Sequence, residues 1–352
     1  MNSDCESPPV GGEIDPPGGR AIAGRRQMGL SSGRKTAFRA GKSGKGSLLM
    51  SQLPTSSVSK SPVSESPVSK SPSDQAPKSY LNVACIQMRS GTEVNANVEA
   101  ASALIRRAAE EGAELIATPE MTSLLDRKPG AVFAKSTTEE ADPALAAFSI
   151  LAAELRVWLL IGSLPIRADG TRCANRSFLI APDGGVAARY DKIHMFDVQL
   201  NAGNIYRESD GFAAGGEAVL AAMPKAKLGL TVCYDVRFPH LYRDLARAGA
   251  EVIFVPSAFT RITGEAHWHI LLRARAIETG SFILAPAQCG KHADGRETYG
   301  HSLIVGPWGE VLAEAGVEPG VISARLDLAA VEDARSRIPS LTHDRSYRGA
   351  GH

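Results

Sequence analysis

Short apolar runs alternate with longer amphipathic segments from Tyr80 onward, and this alternation constrains the fold more than any other feature of the sequence. The apolar runs predict buried strands, and the amphipathic segments predict helices that bury one face. The first predicted elements are strands at 81–87, 113–119 and 157–164 and helices at 98–111 and 144–155. Their order is neither a regular βαβ series nor all-β. We therefore expect an α/β fold in which mixed sheets stack face to face and carry helices on their outer faces.

The same pattern continues through the second half of the chain. Two strands flank a turn signal at 182–185, and a polar, Gly-rich connection then runs from His194 to about Gly216. A connection of that length is typical of an active-site loop. The later predicted elements are a strand leading to Cys233, a helix at 239–248, a strand at 251–255, a helix at 266–278, a strand at 281–286, a hairpin around 306–309 and a helical start at 329.

Residues 1–78 differ in composition from everything that follows them. Pro, Ser, Gly and basic residues dominate, large apolar residues are scarce, and a five-residue unit ending in Ser-Pro repeats through 58–72. Such a segment cannot bury enough apolar surface to offset the entropy of ordering it. We predict a disordered N-terminal arm at 1–78 and a single globular domain at 79–352, with Met50 as a hypothetical physiological start.

Charge and cysteine content narrow the classes of function. The chain has 39 basic and 38 acidic residues, a balance that argues against a dedicated nucleic-acid binder. Its five cysteines are odd in number and form no C-x-x-C pair, so neither a disulfide framework nor a thiolate zinc site is indicated. No apolar run approaches the roughly 18 residues that span a bilayer. We expect a cytoplasmic protein with no membrane or nucleic-acid partner.

Cys233 lies where a strand is predicted to turn into a helix. The run Gly229-Leu230-Thr231-Val232 leads into it, and Pro239 opens the next helical segment. A thiol near a helix N-terminus faces exposed amides, which favour the thiolate. The alternative is that Cys233 is a small buried hydrophobe, as most free cysteines are.

A reactive cysteine needs a group that takes its proton and another that holds the charge on the attacked carbonyl. Glu120 ends an apolar strand, Lys192 ends another beside aromatic residues, and Glu208 lies in the long connection. Each of them, taken singly, also fits a solvated surface residue. Periodicity and composition alone therefore leave the function open.

The chain from about Tyr80 onward resembles the nitrilase superfamily of carbon-nitrogen hydrolases, whose signature is a Glu, a Lys and a Cys in that order. Here they are Pro-Glu-Met around Glu120, Asp-Lys-Ile-His from Asp191 and Val-Cys-Tyr-Asp around Cys233. Supporting motifs lie at 234–239, 256–259, 263–268 and 273–278, and those at 287–290 and 299–302 are most similar to the branch that hydrolyses deaminated glutathione. Glu265 departs from the pattern, which has proline there.

The resemblance implies a four-layer α-β-β-α sandwich and a cofactor-free amidase without a catalytic metal. Cys233 would attack the carboxamide carbonyl, with Glu120 as proton acceptor. Lys192 and the backbone amide of Tyr234 would support the oxyanion. Glu208 would orient Lys192 or the substrate amide.

Arg237, four residues after the cysteine, has two possible roles. It could clamp a substrate carboxylate, which guanidinium binds bidentately, or form a buried ion pair with Asp235 or a nearby acid. His267 and His269 lie two residues apart on a predicted helix and face different directions, which argues against a metal site between them.

The expected substrate is a small carboxylate-bearing amide, deaminated glutathione first, and the expected assembly is a homodimer or larger homo-oligomer. An ω-amidase and an N-carbamoyl amino acid amidohydrolase would use the same three residues. An acyltransferase that passes the thioester to an amine would also share them. A silent scaffold protein is the alternative from another class, although it would not need Glu120, Lys192 and Cys233 together.

Overall fold

The computed structural model describes residues 79–201 and 204–351. The predicted N-terminal arm, its repeats and the hypothetical start at Met50 lie outside the described residues. No helix in the described part of the chain is both long and apolar enough to cross a membrane.

The strands and helices alternate much as the sequence predicts. The helices are α1 (Val94–Glu110), α2 (Ala131–Lys135), α3 (Pro143–Leu155), α4 (Pro239–Arg247), α5 (Arg261–Thr279) and α6 (Ala329–Arg337). The strands of the first half are β1 (Tyr80–Gln87), β2 (Leu115–Ala117), β3 (Trp158–Arg167), β4 (Cys173–Ile180), β5 (Val186–Asp191), β6 (Asp197–Asn201), β7 (Asn204–Arg207) and β8 (Phe212–Ala213). Those of the second half are β9 (Val219–Ala222), β10 (Lys227–Leu230), β11 (Val252–Phe254), β12 (Phe282–Ala285), β13 (Cys289–Lys291), β14 (Glu297–Tyr299), β15 (Leu303–Val305), β16 (Val311–Glu314) and β17 (Gly320–Asp327).

Two mixed sheets have closely related topologies. The first has the order β17-β1-β2-β3-β4-β5, with β8 added to β4, and the second has the order β16-β15-β12-β11-β10-β9. Each contains three parallel strands, β1-β2-β3 in one and β10-β11-β12 in the other. Antiparallel strands complete both sheets on either side of these parallel strands.

The alternation of side chains along β1 shows why two sheets stack. Leu81, Val83 and Cys85 belong to the core shared with the second sheet, whereas Ala84 and Ile86 pack in a separate core with α1 and α3. Successive side chains of a strand point to opposite faces, so a strand that is apolar on both faces must be covered twice. Helices α4 and α5 cover the second sheet in the same way. The predicted four-layer α-β-β-α sandwich is confirmed.

Two helices begin earlier than the sequence predicts. Helix α1 starts at Val94 and buries Ala101, Ile105 and Ala108. Helix α5 starts at Arg261 because Thr260 caps it: the Thr260 hydroxyl accepts a hydrogen bond from the backbone N–H of Thr263. A Thr cap satisfies one of the amide donors that a helix leaves unpaired at its start.

The connection from His194 to Gly216, predicted to be an active-site loop, contains the hairpin β6–β7 and the short strand β8. These strands lie outside the apolar cores, so their sequence lacks the hydrophobic signal of a buried strand. The four cysteines among the described residues are free and buried, in agreement with the absence of a disulfide framework.

Candidate active site

The fold brings three strand ends together between the sheets. Glu120 lies shortly beyond β2 of the first sheet, Cys233 shortly beyond β10 of the second, and Lys192 directly after β5. In open α/β sheets, ligands bind at the carboxyl ends of the parallel strands. All three predicted residues therefore meet in one place, although they are far apart in sequence.

Cys233 has a backbone conformation that few residues other than glycine adopt. Its φ is +49°, and it opens the 3₁₀ turn Cys233–Arg237 rather than a regular α-helix. The Cys233 N–H donates to the Pro256 carbonyl at 2.9 Å, and the Asp235 carboxylate accepts from the N–H of Val232 at 2.8 Å. Left-handed backbone of this kind costs roughly 1–3 kcal/mol and persists only where the surroundings fix it.

A buried group of charged residues surrounds the thiol. The Lys192 ammonium donates to Glu120 Oε1 at 2.8 Å and to both carboxylate oxygens of Glu208, at 2.9 and 2.8 Å. Lys192 is 2% exposed, Glu120 4% and Cys233 7%. A buried ammonium is tolerated because two carboxylates pair with it. The structure thus brings Glu208 to Lys192, the contact expected from the resemblance.

Backbone amides hold both carboxylates in place. The N–H of Ala258 donates to Glu120 Oε2 at 2.8 Å, and the N–H of Phe196 donates to Glu208 Oε2 at 2.7 Å. The Gln288 amide nitrogen donates to the backbone carbonyl of Glu120 at 3.0 Å. Ala258 and Gln288 belong to the half of the chain that forms the second sheet, so Glu120 is fixed from across the interface between the sheets.

Asn175 is a site residue that the sequence analysis missed. Its Nδ2 donates to Glu120 Oε1 at 2.9 Å and to Glu208 Oε1 at 3.1 Å, while its Oδ1 is buried without a partner among the described residues. Asn175 lies within the buried strand β4 and is only 1% exposed. A buried asparagine inside an apolar strand needs hydrogen-bond partners, and that was the available signal.

The pKa of the Cys233 thiol lies well above its ordinary value, because burial disfavours the thiolate and the charge of Glu120 adds to this effect. Lys192 acts in the opposite direction but does not outweigh them. The expectation that a helix N-terminus favours the thiolate is therefore wrong for the resting enzyme. Burial dominates, and the turn after Cys233 is a single short 3₁₀ segment.

Glu120 shows the complementary behaviour. Burial alone raises the pKa of its carboxyl, but the charge and hydrogen bond of Lys192, together with hydrogen bonds from Cys233 and Ala258, bring that pKa below its ordinary value. The resting pair is thus a neutral thiol hydrogen-bonded to an ionised carboxylate. Moving the proton from sulfur to Glu120 leaves the net charge of the buried group unchanged, which makes the transfer compatible with a water-poor site.

These directions predict a broad pH profile for kcat/KM, which reports the free enzyme. Glu120 should stay ionised to below pH 4.5, its ordinary pKa, and Cys233 should keep its proton to above pH 9.0. We expect kcat/KM for amide hydrolysis to stay flat, within about twofold, over the range in which the protein remains folded. An acid limb near neutral pH would show instead that the pKa of Glu120 is raised.

A cavity of about 540 Å³ opens onto Cys233. Glu120, Lys192, Glu208 and Asn175 line its floor, and Tyr234 and Phe259 form part of the wall. The long connection contributes Phe196, Ile205, Tyr206, Arg207, Asp210 and Phe212. Four further cations of the lining are Arg127, Lys128, Arg207 and Arg296. Apart from the charged group beside the cysteine, the lining therefore has four cations and two carboxylates, Asp126 and Asp210.

Tyr234 and Arg237 take different positions around this cavity. The first hydrogen bond of the 3₁₀ turn runs from the N–H of Asp235 to the Val232 carbonyl at 3.1 Å, so the hydrogen bonds of the turn do not use the Tyr234 amide. The Arg237 guanidinium lies behind the wall, 5.8 Å from the ring of Tyr234 and 5.5 Å from the ring of Phe259, and its Nη2 is 3.2 Å from His267 Nδ1.

The alternative of an ion pair between Arg237 and Asp235 is wrong. Asp235 is buried on another side, where its oxygens accept hydrogen bonds from the Tyr190 hydroxyl at 2.7 Å and from the N–H of His194 at 3.1 Å. Among the described residues, no carboxylate forms an ion pair with Arg237. A role for Arg237 toward a substrate carboxylate stays a prediction.

Comparison with known proteins agrees with this geometry. The sequence model of the carbon-nitrogen hydrolase family matches residues 82–336. Deaminated glutathione amidase from Synechocystis sp. is 40% identical over 270 residues, which cover 76% of this chain and 98% of that protein.

Solved structures show the same fold. Saccharomyces cerevisiae Nit3, described as a member of branch 10 of the nitrilase superfamily, superimposes with a TM-score of 0.69 at 28% identity, over 76% of this chain and 97% of that chain. A mutant amidase from Nesterenkonia sp. AN1, which carries a Michael adduct of acrylamide at its active-site cysteine, gives a TM-score of 0.63 at 28% identity, over 74% and 98% of the two chains.

Proposed function

Since this chain belongs to the carbon-nitrogen hydrolase family, we propose that it hydrolyses a linear amide of a small carboxylate-bearing substrate, with deaminated glutathione, whose amide nitrogen belongs to cysteinylglycine, as the preferred one. The observation that carries the proposal is the buried contact of Lys192 with both Glu120 and Glu208 beside the Cys233 thiol. A structural lysine would be expected to reach solvent, whereas this one is enclosed at the floor of a cavity that can admit a ligand.

The first half of the reaction forms a thioester. Cys233 Sγ attacks the amide carbon while the thiol proton passes to Glu120, and the carbonyl oxygen becomes an oxyanion. Lys192 and the N–H of Tyr234 stabilise that oxyanion. The C–N bond then breaks, Glu120 returns the proton to the departing nitrogen, and the amine leaves: cysteinylglycine from deaminated glutathione, or ammonia from a primary amide.

The second half regenerates the enzyme. A water molecule gives a proton to Glu120 and attacks the thioester carbon. The C–S bond breaks, the proton goes back to the cysteine sulfur, and the carboxylic acid is released. Loss of one oxyanion donor typically lowers the rate by about 100-fold to 1000-fold. Glu208 acts through Lys192, whose position it fixes with two hydrogen bonds.

Two features of the cavity favour a carboxylate-bearing amide. The cations Arg127, Lys128, Arg207 and Arg296 line it and can pair with substrate carboxylates. Asn175 Oδ1, buried beside Glu120 without a hydrogen-bond partner among the described residues, would accept the N–H of the substrate amide. The named activity of the Synechocystis relative supports deaminated glutathione among the possible substrates.

We further propose that the protein acts in the cytoplasm, without a cofactor, as a homodimer or larger homo-oligomer. Four free cysteines in the described part of the chain fit a reducing compartment.

A panel of amides tests the proposal, with ammonia measured for the primary amides and the released cysteinylglycine measured for deaminated glutathione. The purified full-length protein should hydrolyse deaminated glutathione with a kcat/KM at least about tenfold above that for 2-oxoglutaramate or an N-carbamoyl amino acid, because more carboxylates can pair with the cations of the lining. Faster turnover of either competitor would contradict deaminated glutathione as the preferred substrate, but it would not contradict the thioester mechanism. Absence of ammonia or amine release from every amide would favour the scaffold alternative, and an amide product in the presence of an added amine would favour acyl transfer.

A further inference from the structure

Two histidines and a glutamate converge on one point outside the catalytic cavity. His269 lies on α5, His301 directly before β15, and Glu314 at the end of β16. Glu314 Oε1 is 2.9 Å from His269 Nε2 and 2.9 Å from His301 Nδ1. None of the three lines the cavity that contains Cys233.

Of the two histidines on α5, only His269 belongs to this group. His267 and His269 do face different directions, since His267 Nδ1 contacts Arg237 while His269 turns toward Glu314. The second imidazole comes instead from His301, which the fold brings beside α5 by way of the turn after β14. A pattern read along one helix does not show a partner that comes from another element.

Both imidazole rings are held in place by their neighbours. The Tyr299 ring stacks on His301 with centroids 4.4 Å apart and meets the His269 ring edge-on at 6.0 Å. The Trp268 indole N–H donates to the backbone carbonyl of His301 at 2.8 Å. The donor nitrogens are therefore directed at the carboxylate before any ligand binds, which lowers the entropy cost of binding one.

We propose that His269 Nε2, His301 Nδ1 and Glu314 Oε1 form a zinc-binding site, with water as the fourth ligand. The three donor atoms lie within 4.8 Å of one another. Two imidazoles and one carboxylate are a donor set that suits Zn²⁺, and at bond lengths of about 2.0–2.2 Å in a tetrahedron the two contacts with Glu314 would lengthen by about half an ångström. To bind the ion, each imidazole must present a lone pair at the named nitrogen.

The position of the site indicates a structural rather than a catalytic ion. It would join α5 to the strand β16 of the second sheet, and the side chains of all three ligands are partly exposed, so an ion can enter from solvent. Trp268, which holds His301, packs against Phe259 of the cavity wall with ring centroids 5.0 Å apart. A zinc ion would therefore stabilise one wall of the catalytic cavity from outside.

Equilibrium dialysis of the metal-free, full-length protein against zinc tests the proposal. We expect one zinc ion per chain, and we expect His269→Ala and His301→Ala each to weaken its binding by more than about 100-fold, the upper end of the loss caused by removing an outer partner of a ligand. Zinc should also raise the thermal midpoint of the wild-type protein and not that of either variant. His267→Ala, on the same helix but outside the cluster, is the matched control and should bind as the wild type does.

Cobalt distinguishes this site from adventitious binding at a cysteine. Cobalt bound by imidazole and carboxylate lacks the intense sulfur-to-metal absorption that a thiolate ligand produces. Cobalt bound to the wild type should show no such band. The visible absorption of the bound cobalt should disappear in His301→Ala. Circular dichroism of the metal-free variants establishes that they fold. Absence of zinc binding, binding that both variants retain, or a thiolate spectrum would each overturn the proposal and show a hydrogen-bonded His–Glu–His cluster only.

Discussion

Cys233→Ala is expected to lower the rate of amide hydrolysis by at least about 10⁴-fold, because the variant has no atom that can form the thioester. The remaining groups of the site stay in place, since alanine keeps the Cβ atom and meets the same left-handed backbone that Cys233 already adopts. The measurement is kcat/KM for the best amide of the substrate panel, with intact-protein mass spectrometry to follow the thioester. The wild type should show the acyl adduct and the variant should not.

Cys289→Ala provides the matched control for this substitution. Cys289 is also buried and free, but it belongs to the hairpin β13–β14 and does not line the cavity. Its replacement should change the thermal midpoint more than the rate. If Cys233→Ala kept more than about a hundredth of the wild-type rate, the reaction would not pass through this thiol and the nucleophile would have to be water.

Glu120→Gln is expected to have the second largest effect, a loss of about 10²-fold to 10⁴-fold in kcat/KM. Glutamine keeps the shape of the side chain but cannot take the thiol proton, whose transfer is needed because the pKa of Cys233 is raised by burial. The amide would also place an N–H donor against either Lys192 or the N–H of Ala258, both of which donate to the carboxylate now. Single-turnover kinetics should show that formation of the thioester, rather than its hydrolysis, is slowed first.

Comparison with Glu208→Gln shows whether the effect of Glu120→Gln comes from lost proton transfer or from the changed charge around Lys192. Both substitutions remove one of the two carboxylates that pair with that ammonium, yet only Glu120 is hydrogen-bonded to Cys233. A loss of about tenfold is expected for Glu208→Gln, the lower end of the effect of removing a supporting partner. Equal losses in the two variants, at equal thermal midpoints, would show that the charge on Lys192 and not a base at Glu120 controls the rate.

The sequence was most informative where a structural property depends on nearby residues. The apolar run of β1 and the helical spacing of α3 follow directly from local periodicity, and the structure shows both. The start of α5 was placed too late because the cap at Thr260 precedes the amphipathic stretch. The raised pKa of Cys233 does not follow from its local sequence, because burial and the charge of Glu120, which lies beyond β2 of the first sheet, determine it.

The site residues that lie in sequence motifs were predicted, whereas those that are defined only by tertiary contacts were not. A resemblance in three short motifs identified Glu120, Lys192 and Cys233, and the structure brings them together. Asn175 has no motif of its own, since only its contacts with Glu120 and Glu208 distinguish it from any other buried asparagine. The convergence of His269 with His301 likewise depends on tertiary structure and left no local signal.

The pairing of β1 with β17 has a consequence for how the chain folds as it is made. Tyr80 pairs with Asp327 and Gln87 with Gly320, so β1 cannot complete its pairing until β17 has been synthesised. During synthesis, β1 therefore presents an unpaired edge until nearly all of the polypeptide has left the ribosome, and unpaired apolar edges promote aggregation. A chain that terminates before residue 320 would keep Glu120, Lys192 and Cys233 and still depend on chaperones, because its β1 edge is never covered.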